Sequence, residues 1–418
     1  MAESIRYGIC LRTICTIRSE IWLPLWSREE FRLYYSETER IYCVIMRAGT
    51  SKGMFLHVND LPQDLALRDK VILSIFGSPD PRQIDGLGGA EPLTSKLALI
   101  GPSSHPDADV DCTFGQVEIN QPVIHYSGLD GNILAGVGPY AIEEGLVKAV
   151  EPITTVKVHN TNTNQIIIAE VPVYNGKPKV MGDYAIDGVP GTGCRINIDM
   201  SQTAGSKTGK LLPTGNVRDK IIVEGIGEIN ISIVDVANPC IFVQAQEVGL
   251  IGNETPGEFN RNLSAINILE RIRAIGAEIL GINNRGKVSV KDPLPFIAFV
   301  STRRHAINHL TLEDIPAECV NFLSRLLFLG AMHQTYAGSV SVTTGVAAVI
   351  PGTVVNEVAK LEEEQKMIRI GHPGGIVEVE AEVETINNQQ FNLLRAMYSR
   401  TARRLMDGYV YISRDTFE

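Results

Sequence analysis

The chain has 418 residues, 44% hydrophobic and 21% charged, and its 38 Lys+Arg against 48 Asp+Glu give a formal net charge of −10. That acidic balance argues against nucleic acid and against an anionic membrane surface as partners, since both need a basic stripe. A small anionic substrate stays open, because a pocket can be locally positive inside an acidic protein. The length suits two or three domains, or one fold of two halves, whose core needs neither disulfides nor metal. The seven cysteines form no C-x-x-C pair and their number is odd. Reduced, mostly buried thiols are therefore expected, with no zinc site. No apolar run reaches transmembrane length.

In chain order, residues 1–40 read as an atypical extension holding both tryptophans, Trp22 and Trp26. Arg6, Arg12 and Arg18 are spaced as in a mitochondrial presequence, but Glu20, Glu29 and Glu30 spoil that pattern. A cytoplasmic location is expected, with a mitochondrial one as the alternative. Strands are predicted at Ile41–Met46 and Gly53–His57, a helix at Leu65–Phe76 and a strand at Lys96–Ile100. Val117–Ile119 and Val123–Tyr126 suit a hairpin. Asn132–Lys148 suits a helix opened by Asp130-Gly131-Asn132. Short β-rich runs follow at Thr155–His159, Gln165–Val171 and Arg195–Asp199. The Gly/Ser/Thr/Lys-rich stretch Ser201–Lys210 marks a boundary. Beyond it come strands at Lys220–Val223, Glu228–Val234 and Ile241–Gln244, then a long helical region at Glu258–Leu280. A strand at Pro295–Val300, a small-residue helix at Ser339–Ile350 and an alternating strand at Ile376–Val383 complete this part. The chain ends with a basic segment, Arg400–Arg404, and a strand at Gly408–Ser413. The second part restates the first.

Polar, glycine-rich turns stand out at residues 47–53, 85–96, 130–132, 191–193, 212–216 and 371–375. Glycine lets backbone amides approach a ligand, and successive amides make an anion-binding nest. Several such nests converging would hold a di- or tricarboxylate; singly, each is an ordinary turn. None is a nucleotide motif: Gly86-Leu-Gly-Gly lacks the dinucleotide spacing, and Ala204–Lys210 is a P-loop only superficially. Lys96 opens an apolar run. It is either a strand-end lysine reaching water or a partly desolvated general base. Asp130 is either a helix N-cap or a second acid/base opposite Lys96. His305 and His309 are spaced H-x-x-x-H but lack the glutamate of a zincin, and Gly49-Thr50-Ser51-Lys52-Gly53 matches G-x-S-x-G only in letters, since a strand rather than a helix is predicted after it.

Taken together and in order, R-A-G-T-S-K-G, G-L-G-G-A-E-P-L-T-S-K, D-G-N-I-L-A-G-V-G-P-Y-A-I-E-E-G, L-P-T-G-N, A-N-P-C-I-F-V and R-T-A-R-R-L-M-D-G resemble the PrpF family. That family comprises 2-methylaconitate cis-trans isomerases and relatives, including aconitate isomerases, methylitaconate isomerase and 4-oxalomesaconate tautomerase. The match runs from about Arg47 to Val410. It implies the diaminopimelate-epimerase-like α+β fold: two pseudo-symmetric halves, each a barrel-like β-sheet around a central helix, with the active site in the cleft between. The division implied is 1–40, 41–200 and 201–389, with about 390–418 returning to the first half.

The family's catalytic lysine falls on Lys96 and its anion-binding turn on Thr50, Ser51 and Lys52. Many members carry cysteine in C-G-N where this chain has Asp130. Ala48 and the pair Gly374-Gly375 are lesser departures. The candidate catalytic residues are Lys96 and Asp130; the candidate substrate contacts are Thr50, Ser51, Lys52, Gly88, Gly89, Ser95, Gly131, Asn132, Thr214, Gly215, His333 and His372. The resemblance implies an isomerase, with neither cofactor nor metal, that moves an allylic proton in an unsaturated di- or tricarboxylate such as cis-aconitate or 2-methylaconitate. The alternatives are a relative acting on a larger acid in specialised biosynthesis, and a non-catalytic carboxylate binder. The expected partner is the small carboxylate alone, and a homodimer is the expected assembly.

Overall fold

Strands dominate the chain. The computed structural model describes residues 37–418 apart from Ser127, 283–293, 363–364 and 388–389; nearly all of the expected N-terminal extension lies outside the described residues. The first part contains β1 (Thr38–Ala48), β2 (Ser51–His57), α1 (Leu65–Phe76), β3 (Lys96–Pro102), β4 (Val110–Val117), β5 (Ile124–His125), α2 (Gly131–Glu143), β6 (Ile153–Asn160), β7 (Gln165–Tyr174), β8 (Lys177–Pro178) and β9 (Ile196–Asp199). The second contains β10 (Asp219–Val223), β11 (Gly227–Val236), β12 (Asn238–Gln244), α3 (Pro256–Phe259), α4 (Leu263–Ile279), β13 (Phe296–Thr302), β14 (Ala306–Ile307), β15 (Asp314–Ile315), β16 (Phe322–Phe328), β17 (Ala331–Met332), α5 (Gly338–Val349), α6 (Val354–Val358), β18 (Met367–His372) and β19 (Gly375–Asn387). Last come β20 (Gln390–Arg400) and β21 (Ala402–Ser413).

The strand pairings spell out a repeat. From β1 the neighbours run β2 antiparallel, β3 parallel, β4 antiparallel, β6 parallel, then β7 and β9 antiparallel. From β11 they run β12 antiparallel, β13 parallel, β16 antiparallel, β18 parallel, then β19 and β20 antiparallel. In each series a helix (α1 or α4) lies between the second and third strands, and another (α2 or α5) between the fourth and fifth. The two series join where β9 pairs with β20, and β21 returns to lie along β1.

Burial on both faces explains the apolar strands. In β3, Ala98 and Ile100 pack toward α2, while Leu97 and Leu99 pack toward α1. In β13, Ala298 and Val300 pack toward α5, while Ile297 and Phe299 pack toward α4. A strand covered on both sides reads as a continuous apolar run rather than an alternating one.

Helix α2 is buried from Gly131 to Ile142, as a helix apolar all round must be. Helix α5 is equally buried but rich in Ser and Thr. Two of its hydroxyls are satisfied within the helix: Thr344 Oγ1 donates to the Val340 carbonyl at 2.7 Å and Ser341 Oγ to that of Gly338 at 2.8 Å.

Several expectations need adjustment. Strand β1 already begins at Thr38. The hairpin is present, but its first strand is the longer β4. Helix α2 stops at Glu143, short of Lys148, and the helical region after Glu258 is two helices, each with its own side-chain N-cap. The Ser201–Lys210 stretch is an anion nest filled from within. Asp235 accepts from the Lys207 and Thr208 amides at 2.9 and 2.8 Å and from Ser206 Oγ at 2.7 Å.

Candidate active site

Side-chain alternation along β3 directs the site. Lys96 has the parity of Ala98 and Ile100, so its side chain points inward, toward the N-terminus of α2. There it meets Asp130 in a short, charged hydrogen bond between Nζ and Oδ2. Both side chains are largely shielded from solvent, at 7% and 15% exposure. The other oxygen, Asp130 Oδ1, accepts from the Asn132 and Ile133 amides at 2.9 and 2.8 Å and so caps α2. Asp130 therefore caps α2 with one oxygen and pairs with Lys96 through the other.

The start of α5 faces the start of α2. A Cβ on Gly131 would lie 2.7 Å from the Ser339 amide and 2.7 Å from the Tyr398 hydroxyl, so only glycine permits this approach. Ala337, the N-cap of α5, offers no side-chain hydrogen bond to the first turn. Uncapped amides at the end of a buried 12-residue helix make a receptor for an anion.

A cavity of about 80 Å³ lies at this junction, lined by Lys96, Asp130, Gly131, Asn132, His333 and Ser339 and walled by Phe114, Leu129, Phe296 and Phe328. His333 Nδ1 accepts from the Thr335 amide at 3.1 Å, so the neutral ring carries its proton on Nε2. Burial, helped by the nearby charge of Lys96, pushes this imidazole down to about 4. A neutral histidine with one free donor suits a developing oxyanion.

A second cavity, about 350 Å³, is lined by Thr50, Tyr184, Thr335, His372 and Arg400, among others. Asn132 stands between the two: its amide donates to Asp130, and its Oδ1 accepts from Arg400 Nε at 3.1 Å and from the Thr50 amide at 3.3 Å. Gly49, at φ +53°, sits against that side chain, where a Cβ would lie 2.2 Å from Asn132 Oδ1. The hydroxyls of Thr50, Ser51 and Thr335 are buried without a hydrogen-bond partner. Among the described residues, no three His, Cys, Asp or Glu side chains gather as a metal site. No helix among them is long and apolar enough to cross a membrane.

The PrpF protein family model matches residues 38–413, nearly the whole described chain. The chain belongs to the PrpF family. Its PrpF relatives include the 3-methylitaconate isomerase of Eubacterium barkeri, 53% identical over 91% of this chain and 99% of that one. The 2-methyl-aconitate isomerase of Shewanella oneidensis is 36% identical over 89% and 97%. A crystal structure of methylitaconate-delta-isomerase superposes with a TM-score of 0.80 at 52% identity, covering 91% of this chain and 98% of the other. A hydroxyproline epimerase from Agrobacterium vitis, 12% identical with a TM-score of 0.53, shares the fold. This PrpF chain is an isomerase with the α+β, diaminopimelate-epimerase-like architecture.

Around the PrpF core, the structure sorts the candidate residues by place. Lys96, Asp130, Gly131, Asn132 and His333 line the first cavity; Thr50 and His372 line the second. Ser51 lies beside Thr50, buried at the start of β2. Gly88, Gly89 and Ser95 line neither cavity. The two glycines pack against Gln83 and Thr94, and Ser95 Oγ donates to Gln83 Oε1 at 2.8 Å, so this turn braces the start of β3. Thr214 donates to Asp219 Oδ2 at 2.8 Å, and Gly215 stands with open space around its Cα; neither lines a cavity. Lys52 also lines neither cavity. Arg400, Thr335 and Ser339 were not singled out, although Arg400 lies in the noted basic segment. Its signal is parity, since it follows Ala396 and Tyr398 on the inward face of β20.

Proposed function

We propose that this isomerase shifts an allylic proton in a small unsaturated di- or tricarboxylate of the kind named for its relatives, such as 3-methylitaconate or 2-methylaconitate. The observation that carries the reading is the Lys96–Asp130 pair, shielded from solvent and set between two helix starts, one capped by Asp130 and the other open. A carboxylate of the substrate sits on the open first turn of α5, where uncapped amides and the dipole favour negative charge. Its hydrocarbon part lies against Phe114, Phe296 and Phe328.

The pair needs one proton transfer along its own hydrogen bond to become an amine and a carboxylic acid. The Lys96 amine then takes the allylic proton, leaving a dienolate. His333 Nε2–H and the α5 amides stabilise its oxyanion. The Asp130 acid returns a proton to the vinylogous carbon, and the ammonium–carboxylate pair is restored. The reverse reaction uses Asp130 as base and Lys96 as acid, as microscopic reversibility requires.

The same proposal divides the chain at about residues 200 and 389, with 390–418 returning to the first half, and takes it to be a cytoplasmic homodimer. Proton NMR of 3-methylitaconate and cis-aconitate in D2O, beside Lys96→Ala, tests the chemistry. Lysine-dependent deuterium at the new C–H position supports it. Turnover that survives loss of Lys96 sinks it.

A further inference from the structure

Among the described residues Arg273, Arg325 and Arg400 are buried; Arg273 pairs with Glu270 at 2.8 Å, and the other two differ in what surrounds them. Arg325, 1% exposed, is held by three backbone carbonyls and lines neither cavity: Nε donates to the Glu254 carbonyl at 3.0 Å, and Nη1 to those of Ser324 and Gly371 at 3.0 and 3.1 Å. Arg400, 5% exposed, donates only to Asn132 Oδ1 and to the Ser399 carbonyl, at 3.1 and 2.9 Å. Among the described residues Arg400 has no carboxylate partner and its Nη2 has no hydrogen-bond partner, although it lines the 350 Å³ cavity. Its guanidinium lies over the Tyr398 ring, 5.0 Å from the centroid, and feels the charge of Asp130 without pairing with it; a buried cation short of a paired counter-ion calls for an anion.

The surroundings of Arg400 are arranged for that anion. The hydroxyls of Thr50 and Thr335 are buried and unpartnered in the same cavity wall, one from each repeat. A Cβ on Gly188 would lie 3.4 Å from the Thr50 methyl and 3.0 Å from that of Thr335, so the two threonines flank one point of the chain. His372 Nδ1 accepts from the Gly374 amide at 3.1 Å, which leaves a proton on Nε2. Burial and the charges of Arg325 and Arg400 hold this ring well below the usual histidine range, hence neutral. The acidic groups of the cavity are engaged elsewhere: Asp187 accepts from the Ile376 amide at 2.5 Å, and Glu378 pairs with Arg369 at 3.2 Å.

We propose that Arg400, with the Thr50 and Thr335 hydroxyls, forms a second carboxylate subsite that selects substrates carrying two or more carboxylates. The inference rests on the isomerase reading of the adjoining cavity. Asn132 joins the two sites, touching Asp130 through its amide and Arg400 through its side chain. A ligand with one carboxylate on α5 and the other on Arg400 is held across the Lys96–Asp130 pair. Arginine supplies a planar fork matched to a carboxylate, and each charged hydrogen bond adds more than a neutral one.

Calorimetric titration with maleate and with isocrotonate isolates the second carboxylate, since the two share a cis four-carbon skeleton and differ by carboxylate for methyl. The wild-type protein is expected to prefer maleate, and Arg400→Met to bind maleate about 10–100-fold more weakly with isocrotonate nearly unchanged. Equal binding of both acids by the wild type overturns the subsite, and so does an equal loss for both acids in Arg400→Met, the mark of a residue that only orders Asn132. Thr335→Val, isosteric and lacking the unpartnered hydroxyl, covers the case in which Arg400→Met fails to fold. It is expected to weaken maleate about fivefold without lowering Tm; unchanged maleate affinity counts against the subsite. Deuterium uptake by the wild type is read separately. Exchange without a preference for maleate removes only the subsite, and the preference without exchange on any unsaturated acid removes only the isomerase reading.

Discussion

At the strand start where the first repeat holds Lys96, the second holds Phe296; at the helix start where the first holds Asp130, the second holds Ala337. All four line one cavity. The backbone architecture is shared and the chemistry is not. In the first repeat a carboxylate of the protein caps the central helix and grips a lysine. In the second the cap is missing, and an apolar wall stands where the lysine would be. On the proposed reading, a duplicated fold has one half that moves protons and one half that receives an anion. The two oxygens of Asp130 let it cap α2 and pair with Lys96 at once.

The comparison breaks most visibly at Lys96. Lys96→Ala is expected to lower kcat by about 10²–10⁴-fold, the usual contribution of a positioned acid–base group, measured by NMR in D2O. Asp130→Asn separates the two oxygens' duties, because asparagine still caps. It should lower kcat about 100-fold and, although the cap is kept, lower stability by up to about 3–5 kcal/mol because Lys96 loses its carboxylate. If kcat survives and only KM rises, Asp130 is a cap and nothing more.

The converse experiment makes the second repeat resemble the first. Ala337→Asp supplies the missing cap and should add about 0.5–2 kcal/mol of stability in urea titrations. It should also raise KM about tenfold, because its carboxylate occupies the amides meant for the substrate. Gly131→Ala tests the contact between the two helix starts. The added Cβ meets the Ser339 amide and the Tyr398 hydroxyl. A loss of about 1–3 kcal/mol on chemical denaturation is expected.

The smallest effect concerns pH. His333, at about 4, and His372, well below its usual range, stay neutral in the folded protein, whereas unfolded histidine takes a proton near 6.5. Below pH ~6.5 the unfolded chain binds more protons, so stability is complete above that value and falls as pH drops toward 4. Stabilities from urea titrations at pH 7.5 and pH 6 should differ by on the order of 1–2 kcal/mol in all.

The sequence by itself determined the elements with strong local patterns and the family. Leu65–Phe76 is a helix with the expected bounds, and the apolar run after Lys96 is a strand buried on both faces. Lys96 and Asp130 stood out because a charge opening an apolar run, and an acid before a helix, are local signals. The glycine turns were less transparent. Gly88 and Gly89 serve packing around Gln83, and Thr214 serves Asp219, because glycine-rich composition is the same for a ligand nest and for a tight internal turn. Only the tertiary structure decided that Asp130 uses one oxygen for α2 and the other for Lys96. It alone brought Arg400 to Asn132, 268 positions apart in the chain. The physical reason is that local sequence constrains backbone shape over a few residues, whereas these contacts arise where β20 closes against β9 and two helix starts are pressed together by the sheets around them.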